Sequence, residues 1–343
     1  MKSESIKDVE ELESLLSEPN ERTVAAMAKL DGGIVVLGVG GKMGPTLARM
    51  AKRASDLAGK SRRVIGVSRF SSPTLQRQLE QHGVETHSCD LLDRSAYAGL
   101  PDAANVMFMA GMKFGSTDQE ARTWAMNAYV PGIVSDRYRD SRIAVFSTGN
   151  VYGLSPVALG GSVETDAIAP VGEYAMSCVG RERIFEHFSR VNGTPMTMLR
   201  LNYATELRYG VLLDIAERVR TGTQVSLQIG NFNCIWQADA SRMSLQSLLH
   251  ASSPARYLNI AGPELLSVRR VAQDFARRFG KQVRFEGEES GDGILSSAQK
   301  AFDLFGYPTV GVEQMMTWIA DWIEREGEKL GKPTHFEIRD GKF

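Results

Sequence analysis

The sequence predicts an α/β fold, a doubly wound parallel sheet with helices on both faces and a smaller cap at the C-terminal end. Three observations predict it. Short apolar runs and amphipathic helical stretches alternate at intervals of about twenty to thirty residues. The runs end in glycine or polar residues, as strands do where a parallel sheet presents its carboxyl edge. After residue 203 the elements become shorter and the alternation breaks. The division expected is an N-terminal helical extension over 1–30, a parallel-sheet domain over 31–203, and 204–343 as mainly a cap with segments returning to the sheet.

Residues 5–30 read as two short helices broken at Pro19-Asn20, with Val9, Leu12, Leu15 and Leu16 on one face. They form a packing arm ahead of the first strand. GGIVVLGVGG is that strand running into glycines, and PTLARMAKRASDLA is the helix after it. RRVIGVSRF, VETHSCDLLD, NVMFMAGM and SRIAVFSTGNVYG supply further strands. Between them lie SPTLQRQLEQHG and the long helix EARTWAMNAYVPGIVSDRYRD, which contains Pro131. The second half reads as a helix leading to a short strand, then strand–turn–helix–strand, then a closing helix from about Gly306 to Gly327.

Composition narrows the function classes. Of 343 residues, 43% are hydrophobic and 24% charged, an ordinary globular mixture. Lys+Arg 40 against Asp+Glu 41 leaves no global field to attract nucleic acid or an acidic membrane. Three scattered cysteines and five scattered histidines show neither a disulfide framework nor metal-ligand spacing, so no metal is expected. The acidic, amphipathic start lacks the form of a signal peptide, and no apolar window is long enough to span a bilayer. A cytoplasmic protein without membrane or nucleic-acid partners is expected.

The first strand ends in Gly38-Val39-Gly40-Gly41-Lys42-Met43-Gly44. Glycines at 38, 41 and 44 bracket a strand-to-helix turn where the backbone approaches a pyrophosphate without a Cβ in the way. The next helix offers free N–H groups and partial positive charge to the phosphates. Lys42 and Met43 belong to the same turn. The second strand ends in Ser68-Arg69, where a cofactor with a free ribose 2′-hydroxyl usually meets an acid. A guanidinium suits a 2′-phosphate, so NADP(H) is expected over NAD(H).

With these residues in place, the chain from Ile34 to about Glu324 resembles an extended short-chain dehydrogenase/reductase of the NAD-dependent epimerase/dehydratase family, with a Rossmann-type sheet. The G-x-x-G-x-x-G spacing is the form found in short-chain dehydrogenases. The resemblance implies that Asp90-Leu91 contacts the adenine, that Ala110-Gly111-Met112 lies along the cofactor, and that Asn127 belongs to the active site. STGNVYG at 147–153 matches the family's hydroxyl-rich turn, putting Thr148 at the hydroxyl position and Asn150 beside the substrate. Tyr174, 26 residues on, takes the place of the catalytic tyrosine. A homodimer paired through the helices around 120–138 and 174–190 is implied as well.

One part of the motif is replaced. The family carries lysine four residues after the tyrosine, where the two side chains share a helix face and the ammonium favours the phenolate. This chain has Cys178, which brings no positive charge. Lys113, in the AGMKFG turn, is a candidate to reach the site, whereas Arg181 and Arg183 are expected to lie too far along the helix. The substrate is weakly marked: Phe232 stands where relatives that use nucleotide sugars carry a diphosphate-binding arginine. A smaller sugar, a sugar acid or another hydroxy/keto compound is expected, with Asn202 and Trp236 as candidate contacts. Trp236 has a core reading beside that one. Two classes of function remain, an NAD(P)-dependent oxidoreductase or epimerase/dehydratase using tyrosine as proton donor and acceptor, and a catalytically weak NADP(H)-binding sensor or scaffold.

Overall fold

The computed structural model describes residues 5–113 and 118–342; Phe114 and Gly115 of the AGMKFG turn lie outside that set. The extension folds as α1 (Val9–Leu16) and α2 (Glu21–Lys29), capped by the side chains of Asp8 and Asn20. The alternating part follows as β1 (Ile34–Leu37), α3 (Gly44–Leu57), β2 (Val64–Ser68), α4 (Pro73–Gln81), β3 (Glu85–Ser88) and β4 (Asn105–Phe108). Then come α5 (Glu120–Trp124), α6 (Val130–Arg137), β5 (Arg142–Thr148), β6 (Ser155–Pro156), α7 (Gly172–Asn192) and β7 (Met196–Leu201). The second half holds β8 (Ala204–Thr205), α8 (Val211–Thr221), β9 (Val225–Ser226), β10 (Asn231–Phe232), β11 (Ile235–Trp236), α9 (Gln237–Ser247) and β12 (Arg256–Ile260). It closes with β13 (Leu266–Ser267), α10 (Val268–Phe279), β14 (Phe285–Glu286), β15 (Asp292–Gly293), α11 (Gln299–Phe305) and α12 (Val312–Glu324).

Seven strands form one parallel sheet in the order β12-β7-β5-β4-β1-β2-β3. The chain winds outward from β1 through β2 and β3, then restarts beside β1 at β4 and winds the other way. The carboxyl ends of β1 and β4 therefore flank the switch point, where such sheets leave a crevice. The outermost strand on that second side, β12, returns from the C-terminal half. The short strands pair in two-stranded ribbons outside the sheet.

Alternation along β1 sets the two sides of the core. Ile34 and Val36 join α1, α2, α3, α8 and α9 on one face, and Val35 and Leu37 join Val130, Val134 and Phe185 on the other. Burial of each such side chain contributes about 1.5–3 kcal/mol. Ala48, Ala51 and Ala54 give α3 a flat side that lies close to the sheet. The extension is part of this core: Leu12, Leu16 and Met27 are fully buried, and the Arg62 guanidinium donates to the carbonyls of Met27, Leu30 and Gly32.

The predicted helix over 120–137 is continuous but contains a π turn at Ala125–Tyr129, where the Val130 N–H donates to the Ala125 carbonyl five residues back. Pro131 has no N–H for the Asn127 carbonyl, and the wider turn absorbs that vacancy. No described helix is long and apolar enough to cross a membrane.

Candidate active site

The carboxyl ends of β1, β4, β5 and β7 open onto a single cleft of about 640 Å³. The glycine turn forms its floor. Gly38 has φ +87°, and a Cβ there would sit 2.6 Å from the Ala110 amide nitrogen. A Cβ on Gly44 would collide with the Val39 carbonyl. On the cleft side the turn is open: a Cβ on Gly41 would meet nothing nearer than the Gly38 carbonyl at 3.4 Å. The turn is thus pressed against its own sheet on one side and clear on the other, the shape a pyrophosphate needs. Among the described residues lining the cleft are the cations Lys42, Arg69, Lys113, Arg181 and Lys332, and no carboxylate. That charge set fits a dinucleotide.

The structure gathers most of the residues expected from the sequence. Gly38, Gly41, Lys42, Met43, Gly44, Arg69, Gly111, Met112, Lys113, Thr148, Asn150, Tyr174 and Asn202 all line the cleft. Ser68 stands just behind, its Oγ against Gly40. Ala110 is buried beneath Gly38. Others are set apart. Asp90 accepts a hydrogen bond from the Leu92 N–H at 3.0 Å, and Leu91 belongs to the core; neither lines the cleft. Trp236 is a correction. It is 1% exposed and packs against Trp318, ring centroids 5.4 Å apart, so it is a core residue and no substrate contact. Phe232 is likewise buried, against Phe336.

Tyr174 enters from the first turn of α7 and Thr148 from the end of β5. Their side chains are hydrogen-bonded to each other. Thr148 Oγ1 also donates to Asn150 Oδ1 at 3.1 Å and accepts from the Asn150 N–H at 3.2 Å. Cys178 lies one turn along α7, fully buried, with its thiol hydrogen-bonded to the Tyr174 hydroxyl. Burial pushes the Tyr174 phenol well above its ordinary value. Cys178 adds to the rise, while Arg181 and the Thr148 hydrogen bond oppose it. The thiol is raised as well, chiefly by burial.

Arg181 is a second correction. It was expected too far from Tyr174 but reaches the cleft. Its guanidinium donates to the Phe146 carbonyl at 2.7 Å and to Asn127 Oδ1 at 2.6 Å. The signal was available, since 174, 178 and 181 fall on one stripe of a helix. Asn127, expected within the active site, stands behind it. Fully buried in the π turn, it accepts from the Met112 N–H at 2.9 Å and donates to the Met112 carbonyl at 3.0 Å and to Ser177 Oγ at 2.9 Å. It therefore fixes the turn that carries Met112 and Lys113. Asn202 lines the cleft with its amide hydrogens committed to Asn233 Oδ1 and the Ile294 carbonyl.

Sequence reasoning missed three groups. Arg200 and Glu182 form a buried ion pair at 2.8 Å, and Glu182 also accepts from Ser147 Oγ. The pair ties α7 to β5 and β7 and so holds Tyr174 in place. Tyr209 lies across the cleft with its ring 3.1 Å from Lys42 Nζ. Lys332 and Thr334 come from the C-terminal segment, which is anchored where the Thr334 N–H and hydroxyl donate to Asp214. Burial, with Lys113 and Lys332 nearby, pushes the Lys42 ammonium down to about 6.

Known proteins share this fold. No curated protein sequence matches the chain. Among solved structures, UDP-glucuronic acid 4-epimerase from Bacillus cereus in complex with NAD superposes with a TM-score of 0.71 at 17% identity, covering 86% of this chain and 99% of that one. UDP-glucose 4-epimerase from Thermotoga maritima with UDP-glucose gives 0.70 at 19% identity over the same shares. A putative epimerase from Burkholderia cenocepacia gives 0.66 at 19%, covering 85% and 98%. At such identities the likeness establishes the fold. Residues 34–206, half of the chain, match the NAD dependent epimerase/dehydratase family, and the chain belongs to that family of nicotinamide-dependent enzymes.

Proposed function

We propose that the protein is an NAD(P)-dependent oxidoreductase or epimerase/dehydratase acting on a hydroxyl or keto group of a small carbohydrate-like substrate, with Tyr174 as proton donor and acceptor. The observation that carries this reading is the hydrogen-bonded Tyr174–Thr148 pair at the sheet's carboxyl edge, in the cleft floored by the glycine turn. The chemistry supplied by a bound nicotinamide is reversible hydride transfer at a carbinol carbon. The Tyr174 oxygen takes the hydroxyl proton in the oxidising direction and returns it in the reducing one. Thr148 hydrogen-bonds the same oxygen and holds it in line, itself oriented by Asn150.

NADP(H) is the preferred cofactor in this reading, because among the described residues Arg69 lines the cleft and no carboxylate does; the solved relatives named above include an NAD complex. Gly38, Gly41, Lys42, Met43 and Gly44 hold the pyrophosphate. Arg69, supported by Ser68, meets the ribose phosphate, and Asp90-Leu91 lies toward the adenine. Lys113, Asn150 and Asn202 contact a sugar, sugar acid or nucleotide sugar, and the cations there suit one that bears an anion. Residues 31–203 act as the dinucleotide domain and 204–343 mainly as the substrate cap. A cytoplasmic homodimer pairs through α5, α6 and α7, where Tyr129 and Met176 are exposed.

A second reading, a catalytically weak NADP(H)-binding sensor, is favoured by the thiol against the Tyr174 hydroxyl. The experiment that separates them is product analysis after incubation with a panel of sugars, sugar acids and UDP-sugars, alongside Tyr174→Phe. Product from wild type and none from the variant supports the enzyme. Tight NADPH binding with no product across the panel supports the sensor.

A further inference from the structure

We propose that Lys113, from the turn after β4, supplies the positive charge that the helix motif withholds from Tyr174. The inference rests on the reading of Tyr174 as the acid–base group.

A buried phenol ionises only if a cation compensates it. The groups facing Tyr174 come from three elements. From α7 come the Cys178 thiol, uncharged and opposed to the phenolate if it ionised, and the Arg181 guanidinium. From β5 comes Thr148, a neutral partner. From the turn after β4 comes Lys113, its Nζ 5.7 Å from the centroid of the Tyr174 ring. Glu182, next along α7, is held by Arg200 and Ser147. Asp214, Lys42 and Lys332 lie across the cleft.

Two cations stand against Tyr174 itself, Arg181 and Lys113, and they differ in kind. Arg181 is locked to the Phe146 carbonyl and Asn127 Oδ1, so its charge is part of the scaffold. Lys113 brings a compact ammonium, a more localised charge than a guanidinium. Its base is fixed, because Asn127 grips the neighbouring Met112 at both N–H and carbonyl. The arrangement brings an ammonium to Tyr174 from a segment other than α7, whose motif position Cys178 fills. Cys178 in turn feels Lys113, which opposes the rise of its thiol. Burial lowers Lys113 to about 8, with Cys178 and Asp214 resisting. The ammonium is thus charged at neutral pH and lost as pH climbs past about 8 in the ligand-free cleft; a bound anion moves that limit upward.

The test reads Tyr174 without turnover. Near-ultraviolet tyrosinate absorbance is titrated with oxidised dinucleotide bound, as the difference between the protein and its Tyr174→Phe variant, and again in a Lys113→Met background. With the bound dinucleotide holding Lys113 protonated beyond its ligand-free limit, the expected result is a Tyr174 midpoint about one pH unit higher without Lys113, equivalent to about a tenfold loss of phenolate at neutral pH. Lys113→Arg, which keeps the charge, is expected to hold the wild-type midpoint and so separates charge from packing. Cys178→Lys in the Lys113→Met background is expected to bring the midpoint back down and to restore oxidation. An unmoved midpoint in Lys113→Met overturns the proposal. So does a tyrosinate step absent from both proteins up to alkaline unfolding, since the ammonium is then not favouring the phenolate. Failure of the functional reading looks different: Tyr174→Phe would keep turnover whatever Lys113 does.

Discussion

The two ends of the cleft are built on different principles. At the glycine end the requirements fall on the backbone: a positive φ at Gly38, and close approach of Gly38 to Ala110 and of Gly44 to Val39. Only glycine meets them, so they are written as a short local pattern. At the tyrosine end the requirement is charge and hydrogen bonding around one phenol, and the groups come from residues 113, 148, 174, 178 and 181. Charge can be delivered from any segment that the fold brings near. The lysine of the familiar spacing can be lost from α7 while other cations remain within reach.

The comparison predicts different failures at the two ends. The largest is Tyr174→Phe, which removes the proton donor and acceptor. Turnover should fall by about 10²–10⁴, with dinucleotide affinity measured by fluorescence titration unchanged. A comparable loss of affinity would mean that the tyrosine end is a binding surface. Gly44→Ala does the reverse. The added methyl meets the Val39 carbonyl, so dinucleotide affinity should drop at least about tenfold and stability in urea by about 1–3 kcal/mol. Unchanged affinity would remove the glycine turn from the site.

Proton linkage gives a subtler effect. Lys42 is held down to about 6 in the ligand-free cleft by burial, Lys113 and Lys332. An anionic ligand raises it, so the complex binds more protons than the separated partners above that value. Calorimetry near pH 7 in buffers of different ionisation enthalpy should show proton uptake on dinucleotide binding, and affinity should weaken as pH rises. Proton release would contradict the charge assignment.

The smallest effect concerns the extension. Glu13 on α1 pairs with Arg208 at 3.0 Å, next to Tyr209 in the cleft wall, and Arg208 also pairs with Glu206. Glu13→Gln should cost no more than about 1 kcal/mol, since one partner is partly exposed and the second pair remains. A loss of binding instead would give the extension a role in shaping the cleft.

Legibility followed the same division. The parallel sheet and the glycine turn could be read because each is a local pattern of periodicity or spacing, whereas Tyr174 and Thr148 were singled out by resemblance to a family motif. Arg181 could have been read from its helix stripe, but linear distance was taken for spatial distance. Trp236 was ambiguous for a physical reason: an aromatic ring serves a sugar face and a core equally well, and only its packing against Trp318 decides. Lys332 and Thr334 left no trace, because nothing local in the sequence tells that the segment after α12 turns back over the cleft. The buried Arg200–Glu182 pair was hidden likewise, two charged residues on separate elements with no spacing rule between them.

The central claim is that a bound dinucleotide presents its nicotinamide ring to the paired hydroxyls of Tyr174 and Thr148. A crystal structure with NADPH tests it most directly. The account predicts the pyrophosphate on the Gly38–Gly44 turn and the ring facing both oxygens, with Lys113 beside the phenol. A dinucleotide bound elsewhere, or one whose ring turns away from the pair, would contradict it.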